Sequence, residues 1–164
     1  MGRKNNRMKT EYHQGLGFDP RKYLSEPTRR SSSFKNEKRS VERTPMRGDI
    51  WYADLGSHPY SSVQSGCRPV VVISNNIGNG HSDTVNILPL TRHLKKPDLP
   101  CHTELYPDNI TDRHQMLDIS MILAEQITTI GKDALRNYVG RIEDDTVLDR
   151  INTAIAVQLG IAIN

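Results

Sequence analysis

Arg47-Gly48-Asp49-Ile50-Trp51-Tyr52-Ala53-Asp54-Leu55, a polar loop over 56–67, and Arg68-Pro69-Val70-Val71-Val72-Ile73-Ser74-Asn75 open the stretch that decides the fold, and Thr84-Val85-Asn86-Ile87-Leu88-Pro89-Leu90-Thr91 closes it. Two of these pieces carry unbroken apolar runs of four to five residues, bounded by turn formers. Such runs fit strands buried on both faces better than an amphipathic surface helix. The loop between the first two pieces is rich in Ser and Gly and ends on a lone arginine. A polar, cationic feature at the mouth of a rigid sheet is a natural place for function.

Working outward, the pattern predicts strands near 48–54, 68–75, 83–91, 102–106, 119–125 and 138–142. Residues 75–83 are dense in turn formers and read as a loop between neighbouring strands. Pro97 and Pro100 interrupt the polar segment 93–100. Residues 130–137 read as a short helix or a turn of one. At the C-terminus Val147, Leu148, Ile151, Ala154, Ile155 and Leu159 recur at three- and four-residue steps, one apolar helical stripe. Glu143-Asp144-Asp145-Thr146 supplies capping and acidic groups where the first amides need acceptors. The expected fold is mainly β with a C-terminal helix (α+β): a small, strongly curved antiparallel sheet or barrel with the helix packed against it.

The 164 residues allow one ordinary domain and some excess. The excess lies in front. Residues 1–46 hold twelve Lys or Arg against five Asp or Glu, and residues 47–164 hold ten against fourteen. Apolar residues in the first segment are sparse and without period, so it cannot bury enough surface to offset ordering entropy. We expect a disordered basic extension over 1–45 and a folded domain over 46–164. The extension's charge suits nucleic acid, an anionic membrane or an acidic partner, and equally a solubilising tail. No apolar core of a signal peptide follows the first charges, and no apolar run is long enough to span a bilayer. Cys67 and Cys101 form no paired motif, so reduced thiols in a cytoplasmic protein are expected.

The 47–55 motif, Gln64-Ser65-Gly66-Cys67-Arg68-Pro69-Val70-Val71-Val72-Ile73-Ser74-Asn75, the 84–91 segment, Leu99-Pro100-Cys101-His102-Thr103-Glu104 and Leu123-Ala124-Glu125-Gln126-Ile127-Thr128-Thr129-Ile130 together resemble the MazF/PemK (Kid) family of bacterial toxins. The resemblance spans 47–161 with its motifs in order. It implies an SH3-like barrel that dimerises, an endoribonuclease cutting single-stranded mRNA at short sequences without a metal or other cofactor, and a cognate antitoxin as partner. Carried over by position, the family's Arg-Pro arginine falls on Arg68 and the threonine ending the third strand on Thr91. The loop serine and glutamine fall on Ser62 and Gln64, and the Glu-Gln pair on Glu125 and Gln126. The family's Gly-Ser-Glu-Gln-Gly-Gly loop here reads Ser61-Ser62-Val63-Gln64-Ser65-Gly66, so valine stands in place of the loop carboxylate.

Metal-free ribonuclease chemistry needs an attacking 2′-hydroxyl, a group that takes its proton, and donors for the crowded phosphate. Arg68 offers a planar, permanently charged fork, and Pro69 biases it toward extended geometry. Thr91 offers a hydroxyl. The blander readings are an Arg68 ion pair with Asp49, Asp54 or a helix acid, and a Thr91 hydroxyl bonded to its own backbone. His58, in the loop near Ser62, is a candidate to approach the substrate; His102 reads equally as a buried, hydrogen-bonded histidine. Cys101, His102 and His114 match no zinc spacing, so no metal is expected. Cys67, beside Arg68, is an activated thiolate or a small buried apolar residue. One of Trp51 and Tyr52 is core, and the other is available to stack on a base. The other function class is a non-catalytic barrel that binds nucleic acid or poisons a topoisomerase.

Overall fold

The computed structural model describes residues 43–94 and 96–162. The extension expected over 1–45 therefore lies outside the described residues up to 42. Arg43, at its end, already packs on the domain: its guanidinium sits 4.0 Å from the Tyr138 ring centroid and 2.9 Å from Asp112.

The strands are β1 (Asp49–Asp54), β2 (Cys67–Val72), β3 (Thr84–Thr91), β4 (His102–Leu105), β5 (Ile110–Thr111), β6 (Ser120–Leu123), β7 (Thr128–Gly131) and β8 (Leu135–Ile142). They form one antiparallel sheet in the order β4-β6-β3-β2-β1-β8-β5, with β7 also on β3. The long strand β3 organises it. One edge pairs with β2; the other pairs with β7 along Thr84–Ile87 and with β6 at Leu90 and Thr91. This is the curved antiparallel sheet with a C-terminal helix that the sequence predicts.

The apolar runs are buried on both faces, as their composition requires. Val71, Leu88 and Leu90 enter one core with Ile50, Ile122, Val139 and the C-terminal helix. Val70, Val72, Val85 and Ile87 enter a second core with Trp51 and Leu135. Trp51 is thus the core aromatic of its pair, and Tyr52 is only partly buried. Gly48 makes the chain's entry into β1 possible. Its φ is +86°, and a Cβ there would lie 2.6 Å from the Ile142 carbonyl oxygen. Its N–H and C=O bond Val72 and Ile142, tying β1's start to β2 and β8.

One expectation needs correction and another narrowing. Residues 75–83 are not a plain loop: α1 (Asn76–His81) is a short helix, with the Asn75 side chain accepting from Gly78 N. Asn79 is buried, donates to the Ser74 carbonyl and receives a bond from Lys132 on its own carbonyl. These tertiary bonds outweigh the poor helix propensity of the glycines. Of residues 130–137, read as a short helix or a turn of one, the structure keeps only the turn. Thr128–Gly131 joins the free edge of β3, and only a single 3-10 turn, Lys132–Ala134, separates it from β8. The β-branched run Ile127-Thr128-Thr129-Ile130 suits that edge.

The C-terminal helix α2 (Asp145–Leu159) begins as expected, with Asp144 accepting from the Thr146 amide at 2.8 Å and hydroxyl at 2.6 Å. Val147, Ile151 and Ala154 are buried, and Leu148 and Ile155 pack at the core's margin. Leu159 departs from the predicted stripe: it is 52% exposed, because the last turn runs past the sheet.

Candidate active site

Arg68 lies at the start of β2, opposite Ala53 of β1, and Thr91 at the end of β3. Both line one cleft of ≈ 290 Å³, shared with Tyr52, Cys67, Leu90, Arg92, Met116 and Asp118. Neither carboxylate that could have claimed Arg68 does so. Asp49 is fully buried and bound to Arg141 at 2.7 Å, and Asp54 faces Arg136 at 3.5 Å. Among the described residues no carboxylate pairs with Arg68. Its Nε instead donates to the Ser65 carbonyl at 2.7 Å. One edge of the guanidinium is thereby fixed, and its outer N–H groups remain for an anion.

Thr91 Oγ1 accepts from the His93 amide at 3.2 Å. The local backbone bond of the blander reading is therefore real, but it uses an acceptor site. A hydroxyl keeps its proton to donate elsewhere. Arg92 pairs with Asp118 at 3.2 Å, both side chains about three-quarters exposed at 77% and 74%. A solvated pair of this kind contributes little, about 0–1 kcal/mol, so either partner is available to a ligand. The sequence reading missed Arg92, Met116 and Asp118. Arg92 adjoins Thr91 and was findable; Met116 and Asp118 arrive from the distant segment before β6.

Ser62, Gln64, Gln126 and His58 gather in a neighbouring cavity of ≈ 570 Å³, together with Glu125 and Ile127–Ile130. Gln126 is its hinge. Its Oε1 accepts from the Gln64 amide at 2.7 Å and its Nε2 donates to the Ser62 carbonyl at 3.0 Å. Loop 56–67 is closed at its base by bonds from Leu55 to Gly66 and from Gly66 to Gly56. His58 bonds the Leu55 carbonyl at 3.0 Å, and lines this cavity rather than the arginine cleft. The Gln64 side-chain oxygen is buried without a hydrogen-bond partner among the described residues. The loop's replacement of glycine by Ser65 is unstrained, since the left-handed backbone falls on Gly66, at φ +73°.

His102, read as a buried, hydrogen-bonded histidine, keeps an 8% exposed side chain that is doubly bonded, to the Lys96 carbonyl and to Glu125. His114 stands elsewhere, edge-on to Tyr138 and 3.3 Å from Asp112. Burial, then the nearby Asp49 charge and the bond to Asp112, push the Tyr138 phenol up to about 12.

With this geometry in place, residues 46–159 match the family model described as PemK-like, MazF-like toxin of type II toxin-antitoxin system. The chain belongs to the PemK/MazF toxin family. It is 37% identical over 115 residues to endoribonuclease EndoA of Bacillus subtilis, covering 70% of this chain and 94% of that one. It is 36% identical to endoribonuclease MazF of Staphylococcus saprophyticus over a similar span, 91% of that protein. Among solved structures, an endoribonuclease in complex with its cognate antitoxin from Mycobacterial species superposes with a TM-score of 0.55 at 29% identity, covering 73% of this chain and 99% of that one. Like those relatives, this toxin is an endoribonuclease, and the family assignment overrides the non-catalytic alternative.

Proposed function

We propose that the cleft around Arg68 and Thr91 is where this endoribonuclease toxin cuts single-stranded RNA, by attack of the 2′-hydroxyl on the adjacent phosphate. The observation that carries the reading is the Arg68 guanidinium. It is anchored at one edge by Ser65, unclaimed by any described carboxylate, and shares a small cleft with the free proton of Thr91. Both groups donate toward a developing phosphorane, and a cation held in place needs no reorganisation as charge builds. Asp118 is the carboxylate lining the cleft, and it takes the 2′-hydroxyl proton. Tyr52 supplies a face for a base, while Ser62 and the rest of the loop that Gln126 holds at Gln64 line the place where the neighbouring nucleotides are selected.

The active form is a cytoplasmic homodimer. Support comes from Val157, Leu159 and Ile161, apolar and 43–57% exposed at the end of α2. Ile151, on the same helix, is consumed by the core. A cognate antitoxin neutralises the toxin by laying an acidic segment over the same cations. Among the described residues, no helix is long and apolar enough to cross a membrane.

The deciding experiment offers the purified protein a cleavable RNA and its copy with deoxyribose at the scissile position, both in EDTA. The RNA is cut to a 2′,3′-cyclic phosphate or 3′-phosphate end, the deoxy copy binds and persists, and Asp118→Asn slows the chemical step by about 10²–10⁴. Normal cutting of the deoxy copy would sink the mechanism.

A further inference from the structure

Away from the cleft, the ends of β4 and β6 bring three different metal-binding groups together. Cys101, His102 and Glu125 each present one ligand atom, all within 4.8 Å of one another. The backbone sets this up. His102 is paired with Leu123, and the Ala124 amide donates to the Cys101 carbonyl at 3.0 Å, so Cys101 faces the 3-10 turn that carries Glu125. The geometry points to a site for a divalent cation of the zinc class, held by the Cys101 thiolate, His102 Nε2 and the Glu125 carboxylate.

The hydrogen-bond geometry is the strongest argument. His102 Nδ1 lies 2.9 Å from the Lys96 carbonyl, which can only accept, so Nδ1 carries a proton. Nε2 lies 3.2 Å from Glu125 Oε1, so the ring's other nitrogen and the carboxylate are turned toward one point. The distance itself suits a metal: N and O donors about 2.0–2.1 Å from one tetrahedral ion stand about 3.3 Å apart. A carbonyl holding Nδ1–H is also the usual outer support of a metal-bound histidine.

The donor set is charge-balanced for a dication. Binding releases the Cys101 thiol proton to solvent, and thiolate plus carboxylate then cancel the ion's two charges around a neutral imidazole. Mixed S, N and O ligands favour zinc over magnesium or calcium. The sulfur must come to about 3.6 Å from the other donors, a shift of about 1 Å at most, within reach of a χ1 rotation of the half-buried cysteine. Glu125 precedes Gln126, so a bound ion steadies the turn whose next side chain holds loop 56–67. Metal binding itself is independent of the proposed RNA chemistry.

Cobalt(II) is the probe, added to the reduced full-length protein. One cobalt per chain with a thiolate-to-cobalt absorption band, displaced by zinc, is the expected result. Cys67→Ser keeps the band and Cys101→Ser abolishes it. Glu125→Gln, at an exposed position that leaves folding intact, weakens zinc binding by about tenfold or more in competition with a chromophoric chelator. Absence of the band in the wild type, or its survival in Cys101→Ser, overturns the site. Unchanged zinc affinity in Glu125→Gln does the same, and would leave His102 and Glu125 as a plain hydrogen-bonded pair.

Discussion

Removing the Arg68 side chain tests the proposed site most directly, because its structural share is a single internal bond. Arg68 makes one internal bond, Nε to the Ser65 carbonyl at 2.7 Å, on a strand whose other residues supply the burial. Losing one part-buried hydrogen bond costs about 0.5–1.5 kcal/mol of stability, so Arg68→Ala folds. On the proposed mechanism its outer N–H groups, in contrast, meet the phosphate only as charge develops. Loss of one such preorganised donor set costs about 3–4 kcal/mol in the transition state, roughly 10²–10³ in rate. Ground-state affinity for RNA, on the same proposal spread over Arg92, the loop and the basic extension, should fall far less. Single-turnover cleavage on saturating RNA isolates the step, with thermal unfolding run alongside. Arg68→Lys keeps a charge but loses both the Ser65 anchor and the paired donors, so it regains only a small part of the rate. A folded Arg68→Ala protein cutting within about threefold of wild type would refute the assignment, since that is under 1 kcal/mol.

Three further outcomes follow from the same geometry. Gln126→Leu removes both bonds to loop 56–67 and strands the Gln64 amide, so stability should drop by about 1–3 kcal/mol and KM should rise more than kcat falls; an unchanged KM would show that the loop is held by other means. The Asp144 cap is held below its ordinary 3.8 by bonds from the Thr146 hydroxyl and amide, so its stabilising share is complete above that value and lost as pH falls through the lowered one. Asp144→Asn keeps a capping oxygen without a titrating group, and acid unfolding followed by circular dichroism should show a shallower pH dependence below pH 3.8 in that variant. Deleting residues 1–42, which leaves Arg43 on Tyr138, should flatten the salt dependence of RNA binding while the cut sites stay the same; a shifted cut site would mean that the extension reads bases.

The parts of this molecule that were legible in the sequence are those fixed by local chemistry. Four consecutive apolar residues at 70–73 can only be satisfied by burial on both faces, and the two cores provide it. Asp144 two residues before Thr146 caps a helix wherever the chain goes. What stayed hidden depends on partners far along the chain. Nothing local to Asn76–His81 says helix until Lys132 and Ser74 hold Asn79, and nothing near Cys101 announces Glu125. Arg68 shows why the boundary falls there. The sequence offers it two nearby carboxylates, and composition cannot say whether they will neutralise it. Strand register decides. β1 and β8 place Asp49 directly opposite Arg141, and β1 and β2 place Ala53, with no charge, opposite Arg68. Asp54 pairs with Cys67, one position away. A slip of one residue would set Asp54 across from Arg68 and also turn Val70 and Val72 out of the second core, so the packing that forbids the slip also keeps the arginine free.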